Sequence, residues 1–289
     1  MPPTPAQPAE PRRRAALAFI FVTVMLDTLA FGIVMPVLPH LIEQLIGGGV
    51  ARAAWWVGVF STVFALVQLV CSPIQGALSD RFGRRPVILC SNLGLALDFL
   101  VLALAPTLWL LLVGRIVLGM TAASFSTANA YVADVTPPER RAGAYGLLGA
   151  AFGLGFIIGP GLGGWLGDIH LRLPFWVSAG LALGNFLYGL VVLPESLPRE
   201  RRSVRFEPRS AHLLGALRLL ARTRVVRGLA IMTFLFYLAH YVLQTVFVLY
   251  ADYRYAWGPR AVGLVLMLVG GCDALVQALV TGRLSGRFG

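Results

Sequence analysis

The strongest constraint on this chain is a series of eight apolar runs, at about 15–37, 55–77, 87–105, 108–133, 144–167, 174–193, 228–250 and 261–282. A helix of about 17–25 apolar residues crosses the hydrocarbon core of a bilayer. In lipid every backbone N–H and C=O must be satisfied within the protein, so such runs are helices or strands of a closed barrel. Barrel strands would read as alternating segments of roughly ten residues, and the sequence contains none. Hydrophobic residues make up 57% of the chain and charged ones 13%, about half the charge of a soluble domain. The reading is an all-α integral membrane protein.

A net charge of +11 would suggest nucleic acid in a soluble chain. Here the placement of the charge matters more than its total. All the basic residues are Arg; 19 fall at the N-terminus and in alternate loops, four in the other loops, and one, Arg115, inside a run. The positive-inside rule assigns the Arg-rich set to the cytoplasm, with the N-terminus on that side. Residues 1–14 are Pro-rich and polar and read as a disordered tail. The first run is too long for the apolar core of a signal peptide and stays as a helix. Residues 15–193 read as a six-helix bundle, 194–227 as a cytoplasmic linker, and 228–289 as the start of a second bundle. Within the linker, "HLLGALRLLARTR" places Leu213, Leu214, Leu217 and Leu220 on one face and predicts a helix lying in the membrane interface. Cys71, Cys90 and Cys272 have no ligand spacing and read as core hydrophobes.

The chain also repeats itself. "GALSDRFG" at 76–83 recurs as "GRLSGRFG" at 282–289, "ALVQ" at 65–68 recurs at 274–277, and "VG" at 57–58 recurs at 262–263. Three matches in order, each at the same place in its helix or loop, indicate a duplicated bundle. Secondary transporters are built this way, with the substrate site at the interface of two halves. On a two-by-six plan this chain carries eight of twelve helices.

Ionisable groups at membrane depth are costly and are functional candidates by default. Asp27, Asp98, Arg115 and Asp273 qualify. A carboxyl poised between burial, which favours its neutral form, and a nearby Arg, which favours its anion, can bind and release a proton. Gln68 and Gln277 occupy equivalent positions in the two halves, and Asn129 lies in the small-residue run "TAASFSTANA"; such amides orient polar substrates or join helices. His40, His170, His212 and His240 show no ligand spacing; His240 is a candidate cavity residue.

The motifs themselves resemble a known family. "GALSDRFGRRP" at 76–86, "LLVGRIVLGMTAA" at 111–123 and "GLGFIIGPGLGG" at 153–164 are similar to sequences of the major facilitator superfamily, and in particular of its drug:proton antiporters of the tetracycline-resistance efflux type. "MLDTLAFGIVMPVLPHL" at 25–41 and "LALDFL" at 95–100 extend the likeness. The resemblance implies the major facilitator fold and proton coupling through Asp27, Asp98 and Arg115; the candidates for a substrate cavity, Gln68, Asn129, His240, Asp273 and Gln277, rest on their own positions in the apolar runs. It makes 76–86 the cytoplasmic loop motif. There Gly76 is expected to allow close helix approach, Gly83 a sharp turn, and Asp80 an Arg pair or a helix cap. Arg81, Arg84 and Arg85 are expected to hold the loop on the cytoplasmic side. Gly155, Gly159, Pro160, Gly163 and Gly164 form the antiporter motif, a small-residue face with a proline kink. Asp273 and Gly286 depart from the pattern.

The expected function is proton-coupled efflux of a drug-like amphipathic compound, with tetracycline as a candidate, across the bacterial cytoplasmic (inner) membrane by alternating access. The proton gradient supplies the energy and no cofactor is expected. The partners are the bilayer, the substrate and protons, with no nucleic acid. The alternatives are a truncated, non-transporting remnant, and a metabolite uniporter or symporter of the same superfamily. The sequence carries no metal cluster within a span and no Ser/His/Asp set, so an enzyme is not expected.

Overall fold

A computed structural model describes residues 10–47, 49–202 and 223–276, and they form ten α-helices and no strand. These are α1 (Glu10–Val34), α2 (Leu38–Ile46), α3 (Val50–Phe82), α4 (Arg84–Leu104), α5 (Leu108–Thr121), α6 (Ser124–Val135), α7 (Arg141–Ile169), α8 (Leu173–Val192), α9 (Arg224–Tyr255) and α10 (Pro259–Val276). Seven segments among the described residues are long and apolar enough to cross a membrane: Ala16–Ile46, Val50–Phe82, Arg84–Leu104, Leu108–Val135, Pro138–Ile169, Leu173–Val192 and Pro259–Val276. The seventh predicted span falls within α9, a helix of 32 residues. The chain is thus an all-α, multi-pass membrane protein.

Several local expectations are corrected. Residues 10–14, expected in a disordered tail, belong to α1; Pro11 is tolerated because the first helical turn has no internal partner for its N–H. The first span is two helices, because Pro36 disfavours helical geometry at Met35 and Pro39 then opens α2. The fourth span is broken at Ala122–Ala123. Cys90 and Cys272 are exposed and Cys71 is half-exposed, so none is a core residue. Most of the predicted interfacial helix, Gln277 and the closing loop 282–289 lie outside the described residues.

Two apolar clusters stack along the bundle. One, at the end carrying α2, includes Val34, Leu41, Ile42, Phe99, Leu102 and Phe175. The other, at the opposite end, includes Phe19, Ile20, Ile88, Tyr131 and Leu148. On α1 the change from one to the other lies between Val24 and Ala30, and on α4 between Ile88 and Leu95. Asp27 and Asn92 therefore sit at the junction. Large apolar side chains such as Leu66, Val70, Leu187 and Val191 point outward, as a lipid-facing surface requires. Arg172 Nη1 and Nη2 donate to the carbonyls of Ala103 and Ala105 at 2.8 and 2.9 Å, closing the C-terminus of α4 with a cation.

The helix that organises this array is α7. It runs without interruption through Pro160 and presents glycine to two neighbours. Toward α1, a Cβ on Gly155 would lie 2.7 Å from Leu29 N, one on Gly159 would lie 2.8 Å from Gly32 Cα, and one on Gly163 would collide with the Ile33 carbonyl. Toward α10, a Cβ on Gly164 would strike the Pro259 carbonyl, and one on Gly161 would lie 2.7 Å from the Met267 sulfur. Apart from the Met267 contact, backbone packs on backbone, with no side chain that could give way. Gly149, on the same helix, has open space around its Cβ position. Gly163→Ala should lower stability by about 1–3 kcal/mol, whereas Gly149→Ala should be neutral or stabilising by up to about 1 kcal/mol. Thermal unfolding of the purified variants in detergent checks both signs.

Candidate functional site

Four helices bring their polar side chains together where the two apolar clusters meet. Asp27 projects from α1. Ser124, the first residue of α6, donates its hydroxyl to Asp27 Oδ2 at 2.5 Å. Asn185, on α8 and fully buried, donates to Asp27 Oδ1 at 2.8 Å and to the Thr23 carbonyl at 3.0 Å. Asn92, on α4, is 1% exposed. With its amide turned so that both groups are satisfied, it donates to Asp27 Oδ2 at 3.1 Å and accepts from Asn185 Nδ2 at 3.2 Å. These partners of the carboxyl are neutral amides and a hydroxyl.

Asp98 lies in a different setting. It stands six residues after Asn92 on α4, about 9 Å further along the axis. It is fully buried and its Oδ2 accepts from Arg115 Nη2 of α5. Asp98 Oδ1 and Arg115 Nε are buried without a hydrogen-bond partner in the structure, so a single contact carries the pair. Gly114 is what lets the carboxylate lie against α5: a Cβ there would be 2.9 Å from Asp98 Oδ1.

The break at Ala122–Ala123 directly precedes Ser124, the partner of Asp27, and frees backbone carbonyls. Gln68 Nε2 donates to the Ala122 carbonyl at 3.4 Å, and Gln75 Nε2 donates to the Met120 carbonyl. Ser91 Oγ accepts from Ala123 N at 3.3 Å. Irregular backbone at this depth persists where neighbouring side chains re-satisfy it. Asn129 donates to its own helix, to the Phe125 carbonyl at 2.8 Å. Asp273 lies on the exposed face of α10, and His240 falls within α9. Of the sequence-predicted residues, the structure therefore pairs Asp98 with Arg115, sets Asp27 in a separate cradle, and places Gln68 against the break between α5 and α6.

The loop motif is built around the φ of +106° at Gly83, a left-handed conformation that side chains rarely adopt. The residue that caps α4 is Glu195 rather than Asp80: its Oε1 accepts from Arg84 N at 2.8 Å and from Leu197 N at 3.1 Å. Asp80 pairs with Arg84 Nη1 at 2.5 Å, and Arg84 Nε reaches Asp134 of α6 at 3.0 Å. Arg85 donates to the Leu190 carbonyl at 2.6 Å, while Arg81 lies over the Phe82 ring. Gly76 is exposed with open space around it, so the close approach expected there is not made among the described residues.

Sequence reasoning missed Asn92, Ser124, Asn185, Asp134 and Glu195. Asn92 and Asn185 carried the same signal as Gln68, an amide inside an apolar span. Ser124 and Glu195 carried none, because serines are common in spans and acids are common in loops. His40, without ligand spacing in the sequence, lies 4.0 Å from Asp252 on α9.

Comparison with known proteins agrees with this architecture. The family model for the Major Facilitator Superfamily matches residues 20–289. The class C tetracycline resistance protein of Escherichia coli is 40% identical over 274 residues, covering 95% of this chain and 68% of that protein. The class H protein of Pasteurella multocida is 34% identical over the same shares. The crystal structure of the human organic anion transporter MFSD10 superposes with a TM-score of 0.73 at 26% identity, over 95% of this chain and 74% of that one. Apolar spans, a glycine-faced α7, buried acids and a match across nearly the whole length lead to one assignment: the chain belongs to the major facilitator superfamily, whose members are membrane transporters.

Proposed function

We propose that this chain carries out proton-coupled efflux of a tetracycline-like amphipathic compound by alternating access. It would act in the bacterial cytoplasmic membrane, with its N-terminus and the Gly83 loop facing the cytoplasm. One observation supports the coupling above all: two carboxyls inside an apolar bundle occupy chemically different settings. The Asp27 cradle consists of groups that both donate and accept. When the carboxyl gains a proton, an Asn oxygen or the Ser124 oxygen can take the hydrogen bond that the anion formerly received. The same groups can therefore hydrogen-bond either protonation state, and Asn185 Oδ1, buried without a hydrogen-bond partner in the structure, is an acceptor still unused. Asp98 is the opposite case. A proton there would release Arg115 from the carboxylate that holds it and force the guanidinium to find another acceptor. In this reading Asp27 exchanges protons at low structural cost, and the Asp98–Arg115 pair converts protonation into movement between α4 and α5. The substrate class comes from the tetracycline resistance relatives, and the Arg-rich loops support the orientation.

Everted membrane vesicles containing the protein test the coupling. Adding tetracycline to energised vesicles should release protons, read with a pH-sensitive dye. Asp27→Asn should abolish this release at equal protein level; an unchanged rate overturns the role assigned to Asp27.

A second prediction separates a working ion pair from a static one. Arg115→Leu leaves a buried carboxylate unpaired and should destabilise the protein by about 3–5 kcal/mol. Adding Asp98→Asn should recover most of that loss in a thermal melt. Transport should stay absent in the double variant; if transport returns with stability, the pair serves packing alone.

A further inference from the structure

At the end of the bundle carrying α2, three side chains meet that the coupling reading does not use. His40 and Glu43 stand three residues apart on α2 and so share a face. Asp252 approaches from the last turn of α9. One ligand atom from each, an imidazole nitrogen and two carboxylate oxygens, all lie within 4.8 Å of one another. His40 Nδ1 is 4.0 Å from Asp252 Oδ2, beyond hydrogen-bond range. The other ring nitrogen, Nε2, is buried and has no hydrogen-bond partner in the structure. The His40 side chain is 12% exposed. A largely buried imidazole thus faces two carboxylates without a direct hydrogen bond at either nitrogen.

The placement is set by packing. Leu249, one turn before Asp252, is 3% exposed and belongs to the same apolar cluster as Leu41 and Ile42 of α2. The α2–α9 contact is therefore a docked junction between the first six spans and the two helices that follow. Two carboxylates held this close repel each other, and a divalent cation reverses the sign of that interaction. One imidazole with two carboxylates is a donor set for zinc-class ions. Zinc takes such ligands at about 2.0–2.2 Å, so ligand atoms in a tetrahedral shell lie about 3.4 Å apart. Side-chain rotation that shortens the longest separation by about 1.4 Å closes the difference.

We propose that His40, Glu43 and Asp252 form a binding site for a zinc-class divalent cation that ties α2 to α9, with water completing its shell. One consequence rests on the transport reading. This is the end proposed to face the exterior, and it must part for release to that side, so a cation bound there holds it shut and slows export.

The binding itself is testable without transport. The purified chain in detergent, stripped with chelator, is titrated with zinc chloride by calorimetry. One equivalent should bind. His40→Ala and Asp252→Asn should each weaken binding by at least about tenfold, while a Cys71→Ser/Cys90→Ser/Cys272→Ser variant should bind as the parent does. Absence of binding, parent-like binding by Asp252→Asn, or loss of binding only in the cysteine variant overturns the site. A second measurement needs no variant: zinc should protect His40 from diethyl pyrocarbonate in the unaltered protein, read by peptide mass. Equal modification with and without zinc also overturns it. Zinc binding in a protein that moves no protons would leave the site standing and remove only its link to export.

Discussion

Direct contact of the α7 backbone with α1 on one side and α10 on the other is the interaction on which the rest depends. Lipid tails are as apolar as leucine, so burial alone does little to hold transmembrane helices together; close packing does. Glycines 155, 159 and 163 bring α1 near enough for its Met25–Ile33 stretch to meet α7 backbone to backbone. That stretch carries Asp27. The same helix, turned to its other face, holds α10 through Gly161 and Gly164. One helix thus connects the polar junction of the first six spans to the first elements of the next set. A change in how α10 sits on α7 reaches α1 without any intervening flexible part.

The polar junction follows from that packing. A carboxyl cannot remain between two apolar clusters unless its oxygens are satisfied. Asn185 and Ser124 satisfy those of Asp27 from α8 and α6, and Asn92 does so from α4. The Asp98 carboxylate instead depends on one guanidinium, with one oxygen left without a partner. Neutral groups hold the first carboxyl and a cation holds the second. The break between α5 and α6 sits beside the first, its freed carbonyls met by Gln68 and Gln75. At the opposite end from α2, Arg84 joins Asp80 to Asp134, and Glu195 holds the start of α4, fastening the loop to two further parts of the chain.

Much of this was legible in the sequence. Apolar runs of the right length placed the helices, because lipid permits few other structures. Asp27, Asp98 and Arg115 stood out because an ionisable residue is costly to hold inside an apolar run. The glycines of α7 pointed to close packing, although not to two partners. Gly76 looked equivalent and is not: it faces open space, because contact depends on which way a helix face turns. The cradle around Asp27 was harder to see. Asn92, Ser124 and Asn185 lie on three different helices, and no spacing along the chain links them.

The amino-acid sequence by itself determined that the chain lies in a membrane, which runs of it are helical and which charges stand within those runs. Those outcomes follow from local hydropathy and from the cost of placing a charge in lipid, both of which are read residue by residue. Only the tertiary structure decided which buried groups meet. It separated Asp27 from the Asp98–Arg115 pair, gave the cap of α4 to Glu195, and drew His40, Glu43 and Asp252 to one point across some two hundred residues of chain. Hydrogen bonds and ion pairs act over a few ångströms, and helix packing, rather than sequence distance, sets which side chains come that close.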